Sequence, residues 1–250
     1  MREAPRLRVA AFRPDDERLA DAVALLESLG ADPVPDPMLA VEPTGATPRG
    51  DSTYSILTSK TGVELAAGSG WDPGEATVCA IGESTAAALR DAGYAVDVVP
   101  EEFSSTGLVE ALGAEVAGAR VEVARSDHGS AVLTDGLEAA GAYVHETVLY
   151  RLVRPPEAGE STELAAAGEL DAALFTSSLT VEHFLAAAEE RGVRDAARDG
   201  LCDATVGAIG TPTKETAEST GISVDIVPER ADFEALACEV VEAAGPTHHE

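Results

Sequence analysis

An internal repeat constrains the fold of this chain more than any other feature of its sequence. Residues 81–101 (IGESTAAALRDAGYAVDVVPE) align without a gap with residues 209–229 (IGTPTKETAESTGISVDIVPE), and nine of the 21 positions are identical. Upstream, LTSKTGVEL (57–65) matches FTSSLTVEH (175–183). Chance similarity of alanine-rich segments does not readily preserve both order and register. The sequence therefore predicts two copies of one structural unit.

Short β-branched runs alternate with helical patterns along the chain. Strands are predicted at 7–12, 54–58, 77–81, 96–98, 121–124, 172–175, 205–209 and 224–227. This alternation predicts an α/β fold with two similar parallel-sheet domains covered by helices. Residues 31–43 and 143–156 are interpreted as connecting strands rather than core strands, because extended, proline-interrupted segments belong at sheet edges or between domains.

The chain carries a large negative charge. Forty-five acidic residues against 17 basic ones give a net charge of −28, and only Lys60 and Lys214 are lysines. We interpret this composition as halophilic, because a Debye length of ~3 Å in molar salt lets like charges crowd a surface. An acidic surface also argues against nucleic acid as a partner, since phosphate binding needs a basic face.

The cysteines and apolar segments argue against several other classes of protein. Cys79, Cys202 and Cys238 are odd in number and far apart, so neither a disulfide framework nor a zinc site is expected. No apolar stretch approaches the ~18 residues of a membrane span, and no signal peptide is recognised. We expect a cytoplasmic protein without a membrane partner. The phosphate-loop and dinucleotide patterns are both absent, so no nucleotide cofactor is predicted.

Two Gly-x-x-Thr turns are the most informative local motifs. Gly82–Thr85 and Gly210–Thr213 each follow an apolar strand and precede a helical pattern. The first N–H groups of a helix form a seat for an anion such as a carboxylate. The alternative is ordinary capping, by Ser84 in one turn and by Thr211 ahead of Pro212 in the other. Because equivalent turns recur in both copies, ligand contact is favoured.

Other polar residues follow predicted strands, where ligands bind in open α/β sheets. The pairs Thr58-Ser59 and Thr176-Ser177 either contact a ligand or cap the next helix, and both roles are compatible. Arg13 and Arg125 occupy the same place in each copy. They are candidates for ligand contact, with local pairing to Asp15 or Asp127 as the alternative.

The ordered set of motifs resembles the uroporphyrinogen-III synthase family over about residues 8–240. The matching segments are Arg13-Pro14, LTSKTGVEL, AIGESTAAAL, PEEFSSTGL, VEVARSDHGS, TVLYRLV, LFTSSLTVEHF, AIGTPTKETA and VPERADFEAL. The resemblance implies two α/β domains joined by a two-stranded antiparallel linker. One domain would combine 1–36 with 155–250, the other would span 42–149, and the linker strands would lie near 34–42 and 146–154.

The resemblance also implies a lyase reaction. Hydroxymethylbilane, a linear tetrapyrrole with eight carboxylates, would lose water and close into a ring. Its last pyrrole, ring D, would be inverted through a spiro intermediate. No cofactor is implied, and a monomer is expected.

Residues of the site follow from the family motifs and from the turns. Carried over, the residues lining the substrate cleft are Thr58, Ser59, Thr85, Ser177 and Thr213, with Tyr150 as a candidate acid or hydrogen-bond donor. The turns and the repeat add Gly82, Ser84, Gly210 and Arg13 as substrate-binding candidates. The alternative class is a non-catalytic, two-lobed small-molecule sensor, which duplicated α/β lobes also fit.

Overall fold

A computed structural model describes residues 6–245 and divides the chain into two compact units. Unit 1 contains the described residues up to Ala40 and those from Val153 onward, whereas unit 2 is Val41–Leu152. Unit 1 is therefore built from two separate chain segments. The domain limits implied by the resemblance stay a prediction, and their ends at 1–5 and 246–250 lie outside the described residues.

The described strands and helices alternate as the sequence predicts. The strands are β1 (Arg8–Phe12), β2 (Asp32–Pro35), β3 (Ala40–Pro43), β4 (Tyr54–Leu57), β5 (Thr77–Ala80), β6 (Arg120–Ser126), β7 (Tyr143–Val153), β8 (Ala172–Phe175) and β9 (Thr205–Ala208). The α-helices are α1 (Glu17–Ser28), α2 (Lys60–Gly68), α3 (Glu83–Asp91), α4 (Ser105–Leu112), α5 (Ala131–Ala139), α6 (Glu160–Ala166), α7 (Ser178–Glu190), α8 (Arg194–Leu201), α9 (Thr211–Ser219) and α10 (Phe233–Ala244). A 3₁₀ turn at Gly113–Val116 follows α4.

Unit 1 is organised around a parallel sheet in the order β2-β1-β8-β9. Successive side chains of a strand point to opposite faces, and β1 follows this rule with both faces apolar. Phe12 packs with Phe175 and Phe184 on one face, whereas Val9 and Ala11 join a separate cluster with α10 on the other. The central strand β1 is thus buried on both sides by helices.

A buried carboxylate joins the two chain segments of unit 1. Asp36, which is 2% exposed, accepts hydrogen bonds from the N–H of Gly159 at 2.8 Å and of Ser161 at 2.9 Å. The hydroxyl of Ser161 also donates to it at 2.5 Å. These bonds satisfy both carboxylate oxygens, which a buried charge requires. They tie the end of β2 to the start of α6.

Unit 2 contains a sheet in the order β3-β7-β6-β4-β5, in which β7, β6, β4 and β5 run parallel. Leu57, Val78 and Ala124 face one apolar cluster, and Ile56 and Val123 face another. The predicted α/β class with parallel sheets is confirmed. Residues 31–43 are predicted to form edge or connecting strands, and β2 and β3 both lie at sheet edges. The same interpretation of 143–156 is wrong in part, because β7 lies inside its sheet between β3 and β6.

The two repeated segments make the same local contacts. In unit 2, Val78 donates its N–H to the carboxylate of Asp97 at 2.8 Å, and in unit 1 Val206 donates to Asp225 at 2.8 Å. A single bridge follows in each case, at Val98 and at Ile226. The strands predicted at 96–98 and 224–227 are therefore reduced to one bridge each, because the aspartate side chain takes a backbone donor that a longer ladder would use.

Candidate functional site

The carboxyl edge of the unit 2 sheet gathers most of the predicted site residues of that unit. Thr58 and Ser59 follow β4, Gly82 lies two residues after the end of β5, and Tyr150 lies near the end of β7. Parallel strands end at the same edge of a sheet, which is where ligands bind in open α/β folds. The sequence-based placement of Thr58, Ser59 and Gly82 after strands agrees with the topology, whereas Tyr150, predicted in a connecting segment, lies within β7.

A cavity of about 230 Å³ opens at this edge. Its lining residues are Thr58, Ser59, Ile81, Ser105, Arg125, Ser126, His128, Gly129, Ser130, Leu133 and Tyr150. Pockets that hold a whole small ligand usually measure ~300–1,000 Å³. This cavity is therefore suited to one end of a ligand rather than to all of it.

Tyr150 and Ser59 are hydrogen-bonded to each other in this cavity. Tyr150 is 6% exposed, and its hydroxyl donates to Oγ of Ser59 at 2.9 Å. The same Oγ accepts from the N–H of Gly62 at 3.0 Å, so Ser59 is the N-cap of α2. With its oxygen accepting from two donors, Ser59 has its own hydroxyl hydrogen left for a ligand.

The N-terminus of α3 has no side-chain cap. Gly82 is the N-cap residue, so the capping alternative through Ser84 is wrong. Ser84 is exposed and Thr85 is buried at 2% exposure within the first turn. The N–H groups of Glu83, Ser84 and Thr85 precede the first intrahelical bond, from Ala86 to Gly82. The helix therefore presents three uncapped donors to a ligand.

The aromatic ring of Phe103 lies beside this helix start. A β-carbon on Gly82 would lie 3.2 Å from Cβ of Phe103, so glycine at this position permits the close approach. Phe103 is 64% exposed, which is unusual for a large apolar side chain in so polar a surface. Its position was not predicted from the sequence, in which only the surrounding PEEFSSTGL segment was recognised.

The corresponding helix start in unit 1, at Gly210, has one backbone N–H donor fewer than the start of α3. Gly210 is the N-cap residue of α9 without a side-chain cap, so capping by Thr211 is also wrong. Pro212 has no N–H, which leaves the N–H groups of Thr211 and Thr213 ahead of the first intrahelical bond, from Lys214. Thr213 is 4% exposed. The α9 terminus therefore offers two donors where α3 offers three.

Ser177 is the N-cap residue of α7 and forms a reciprocal capping box with Thr180. The sequence offers helix capping and ligand contact as roles for the pairs Thr58-Ser59 and Thr176-Ser177. Ser59 and Ser177 do cap helices. Contact between these serines and a ligand stays a prediction. The hydroxyl of Thr176 donates to the carbonyl of Phe12 at 2.5 Å, so its hydrogen is already used within the sheet of unit 1.

Arg13 and Arg125, at equivalent positions of their units, share an uncommon state. Within residues 6–245, their Nε atoms are the buried side-chain nitrogen or oxygen atoms without a hydrogen-bond partner. Arg13 lies over the ring of Phe233 at 4.5 Å, and burial followed by repulsion from Arg18 lowers its pKa. The structure therefore does not support the Arg13–Asp15 pairing alternative.

Arg125 is 6% exposed and forms part of the cavity wall. It donates to the carbonyl of Ser130 at 2.6 Å and forms a short ion pair with Glu146. The alternative prediction, in which Arg125 pairs with Asp127, is therefore wrong. The repeat could have placed Arg125 in the site through its match to Arg13, but its partner lies on a neighbouring strand that sequence spacing does not reveal.

The loop after β6 adds residues that sequence reasoning did not assign to the site. His128 donates or accepts through Nδ1 at 2.8 Å from the carboxylate of Asp127, which also accepts the N–H of Leu152 at 3.0 Å. Burial raises the pKa of Asp127, but the hydrogen bonds from His128 and Leu152 outweigh it and lower the pKa overall. The carboxylate form of Asp127 is thereby favoured beside the imidazole.

Two parallel-sheet α/β units, with hydroxyl groups and uncapped helix N-termini after their strands, place this chain in the α/β class, and such strand ends are suited to an anionic ligand. Within residues 6–245 no helix is long and apolar enough to cross a bilayer. The same residues hold no cluster of three or more His, Cys, Asp or Glu able to bind a metal ion.

Comparison with known proteins then shows the family. Residues 20–238 match the family model described as uroporphyrinogen-III synthase HemD, and the chain belongs to this family. A protein of Methanothermobacter thermautotrophicus named "Putative uroporphyrinogen-III synthase" is 33% identical over 238 residues, which cover 89% of this chain and 92% of that protein. The uroporphyrinogen-III synthase of Chlorobaculum parvum is 26% identical over 169 residues, 66% of each chain.

Solved structures show the same fold. The chain matches a mutant uroporphyrinogen III synthase of Thermus thermophilus with a TM-score of 0.67 and 21% identity, covering 95% of this chain and 98% of that one. It matches the uroporphyrinogen-III synthetase of Helicobacter pylori with a TM-score of 0.62 and 16% identity, covering 95% and 99%. The family resemblance predicted from the sequence is confirmed, and the sensor alternative is not favoured. The family comprises enzymes of tetrapyrrole synthesis that act on hydroxymethylbilane.

Proposed function

We propose that this chain is a uroporphyrinogen-III synthase, a lyase that closes hydroxymethylbilane into a ring with loss of water and inversion of ring D through a spiro intermediate. Family membership supports the activity. The observation that carries the proposal is that the uncapped start of α3 lies on the same sheet edge as the cavity lined by Tyr150, here called the Tyr150 cavity. One feature suits a substrate carboxylate, and the other suits a substrate end group.

Substrate carboxylates are proposed to bind to main-chain N–H groups. The donors are the first N–H groups of α3, after Gly82, and those of α9, after Gly210. Helix N-termini carry a partial positive charge, so they attract carboxylates without adding a basic side chain to an acidic surface. Arg13, whose buried Nε has no hydrogen-bond partner among the described residues, is proposed as a further contact.

Tyr150 and Ser59 are proposed to hold the terminal hydroxyl of the substrate. Because Tyr150 donates to Ser59, the hydroxyl hydrogen of Ser59 is directed to another acceptor. Thr58 lines the same cavity. The reaction needs no cofactor in this proposal, since orientation of reacting groups alone can lower a barrier by ~7–11 kcal/mol. What the enzyme must enforce is the geometry that inverts the last ring.

The net charge of −28 works against binding an eightfold anion. At molar salt the Debye length is only ~3 Å, so long-range repulsion is screened and short contacts decide affinity. We expect activity to rise with salt over the low-to-moderate range. Full activity in dilute buffer would contradict the halophilic interpretation.

The activity is tested by incubating purified protein with freshly prepared hydroxymethylbilane in high salt and identifying the ring isomer formed. The inverted isomer is expected in excess over the uncatalysed isomer. Formation of the uncatalysed isomer alone, at the rate of a protein-free control, would refute the proposed function. This outcome would favour binding without catalysis, and retention of hydroxymethylbilane on equilibrium dialysis would then identify a sensor.

The role of Tyr150 is tested separately with Tyr150→Phe. Removal of one hydrogen bond worth about 0.5–1.5 kcal/mol should lower kcat/KM by about two- to tenfold. Tyr143→Phe is the matched control, because Tyr143 lies on the same strand, is 70% exposed and is outside the cavity. Equal kcat/KM for both variants would remove Tyr150 from the site and leave the family assignment intact.

A further inference from the structure

The wall of the Tyr150 cavity includes an imidazole that is hydrogen-bonded to a carboxylate. His128 lines the cavity, and its Nδ1 is 2.8 Å from Oδ1 of Asp127. Asp127 is itself held by the N–H of Leu152 at 3.0 Å. With Nδ1 bonded to a carboxylate, a protonated imidazole keeps Nε2–H free to donate elsewhere. This is the arrangement by which a carboxylate orients a histidine for proton transfer.

The hydroxyl groups and the arginine of the cavity wall are weaker proton donors than a protonated His128. The phenolic hydrogen of Tyr150 is already donated to Ser59. Ser59, Ser105, Ser126 and Ser130 are ordinary hydroxyls, which remain neutral and do not give up a proton near neutral pH. Arg125, the remaining titratable side chain of the wall, donates to Ser130 and pairs with Glu146. An arginine does not release its proton in this range.

We propose that His128 is the catalytic acid that protonates the departing hydroxyl of hydroxymethylbilane, with Asp127 as its positioning residue. This inference rests on the proposed function and assigns a proton donor to it. The size of the cavity supports it, because about 230 Å³ accommodates an end group of a long substrate. The hydroxymethyl group is such an end.

The step balances without a co-reactant. Nε2–H of His128 gives its proton to the hydroxyl oxygen as the carbon–oxygen bond breaks, and both electrons of that bond leave with the oxygen as water. The lone pair of the adjacent pyrrole nitrogen forms the new double bond, which leaves a cationic azafulvenium. The azafulvenium carbon then bonds to the substituted α-carbon of ring D and forms the spiro intermediate. The bond from that carbon to its original bridge breaks, with its electrons returning to ring D, and a new azafulvenium is left on the neighbouring pyrrole. This cation bonds to the unsubstituted α-carbon of ring D, which loses its proton as the inverted pyrrole becomes aromatic again. Transfer of that proton to neutral His128 restores the acid.

The groups facing His128 determine how its proton transfer responds to pH. They are the carboxylate of Asp127, which stabilises the imidazolium, and the guanidinium of Arg125, which opposes it but is paired with Glu146. Tyr150 donates its hydroxyl hydrogen to Ser59. A general acid must hold its proton to act, so kcat is expected to fall as pH rises in the wild type but not in a variant that lacks the imidazole.

The test compares His128→Gln with His145→Gln in the isomer assay at high salt. His145 is a matched control because its Nδ1 is also bonded to a carboxylate, Glu122 at 2.6 Å, but it is not part of the cavity wall. We expect kcat for the inverted isomer to fall about 10²–10⁴-fold in His128→Gln with little change in KM. The variant should also lose the fall of kcat with rising pH that is expected of the wild type.

Two further variants keep the inference falsifiable. His128→Ala should regain activity when imidazole is added, because a small acid can enter the vacated space, whereas Tyr150→Phe should not. Asp127→Asn should lower kcat less than His128→Gln does. If His128→Gln forms the inverted isomer at the wild-type rate with an unchanged pH profile, the inference is overturned and the proposed function stands. If the wild type itself forms only the uncatalysed isomer, both are overturned.

Discussion

The unequal number of donors at α3 and α9 allows the binding proposal to be tested with a single residue. Ser84 is the second residue of α3, and the repeat aligns it with Pro212, the second residue of α9. Substitution of Ser84→Pro would delete one of three uncapped N–H groups. The helix should still form, because proline is tolerated in the first turn of a helix and α9 already holds one at this place.

The expected magnitude follows from the bond that is lost. A hydrogen bond to a charged group contributes about 1.5–3 kcal/mol, and each 1.4 kcal/mol corresponds to a tenfold change in affinity. If a substrate carboxylate accepts from the N–H of Ser84, Ser84→Pro should raise KM by about tenfold to a hundredfold. The free energy of unfolding should change little, since no packed side chain is removed.

Ser84→Ala is the control for this experiment. It deletes the exposed hydroxyl but keeps the N–H group, so its KM should equal that of the wild type. Steady-state kinetics on freshly prepared hydroxymethylbilane measure KM, and urea titration of each variant in the same high-salt buffer measures stability. If Ser84→Pro is as stable as the wild type and its KM equals that of Ser84→Ala, main-chain binding of substrate at α3 is refuted.

Three further outcomes are expected. Gly129→Ala should destabilise unit 2 by about 1–3 kcal/mol in urea titration, because the new Cβ would lie 2.3 Å from Cδ of the buried Arg125. Gly68→Ala is the control, and it should be neutral or stabilising because the space around Gly68 is open. Equal effects of the two substitutions would contradict the packing argument. Burial followed by the nearby Asp97 charge raises the pKa of Cys79 to about 12, so iodoacetamide at pH 8 should label Cys202 and Cys238 but reach Cys79 only after unfolding, as counted by mass spectrometry. Glu83→Gln should lower KM a fewfold at low salt, because it removes a carboxylate from the helix start where substrate is proposed to bind, and an unchanged KM would place that substrate carboxylate elsewhere.

Much of the fold could be predicted because the strands are short apolar runs buried on both faces. The segments 172–175 and 205–209 were placed to within one residue, since a parallel strand between two helical layers has no polar positions to blur its limits. Val96–Val98 failed as a strand because Asp97 bonds to Val78 through its side chain. Aspartate is uncommon in strands. Asp97 and Asp225 each accept a backbone hydrogen bond through the side chain, and only the structure reveals this shared contact.

The site was predicted less completely, and for a different reason. Gly82, Thr58 and Ser59 follow strands that are recognisable in the sequence, so their shared edge follows from topology. The surroundings of Arg125 depend on contacts across strands, and Glu146 is 21 residues away on β7. No local pattern encodes which loop residues close a cavity. His128 has no other histidine or cysteine at metal-ligand spacing in the sequence, so no local motif assigns it to the site.

The two-segment construction of unit 1 has a consequence for synthesis of the chain on the ribosome. Its central strand β1 leaves the exit tunnel first, but its neighbour β8 begins only at Ala172, after all of unit 2. At about 5–20 residues per second, the roughly 160 residues between them take about 8–32 s to translate. During that delay unit 2 can fold by itself, whereas β1 has only β2 to pair with, and the edge of β1 that pairs with β8 remains open and prone to aggregate. Expression hosts that translate slowly or lack protective chaperones should therefore recover less folded protein, even though both sheets are well packed once complete.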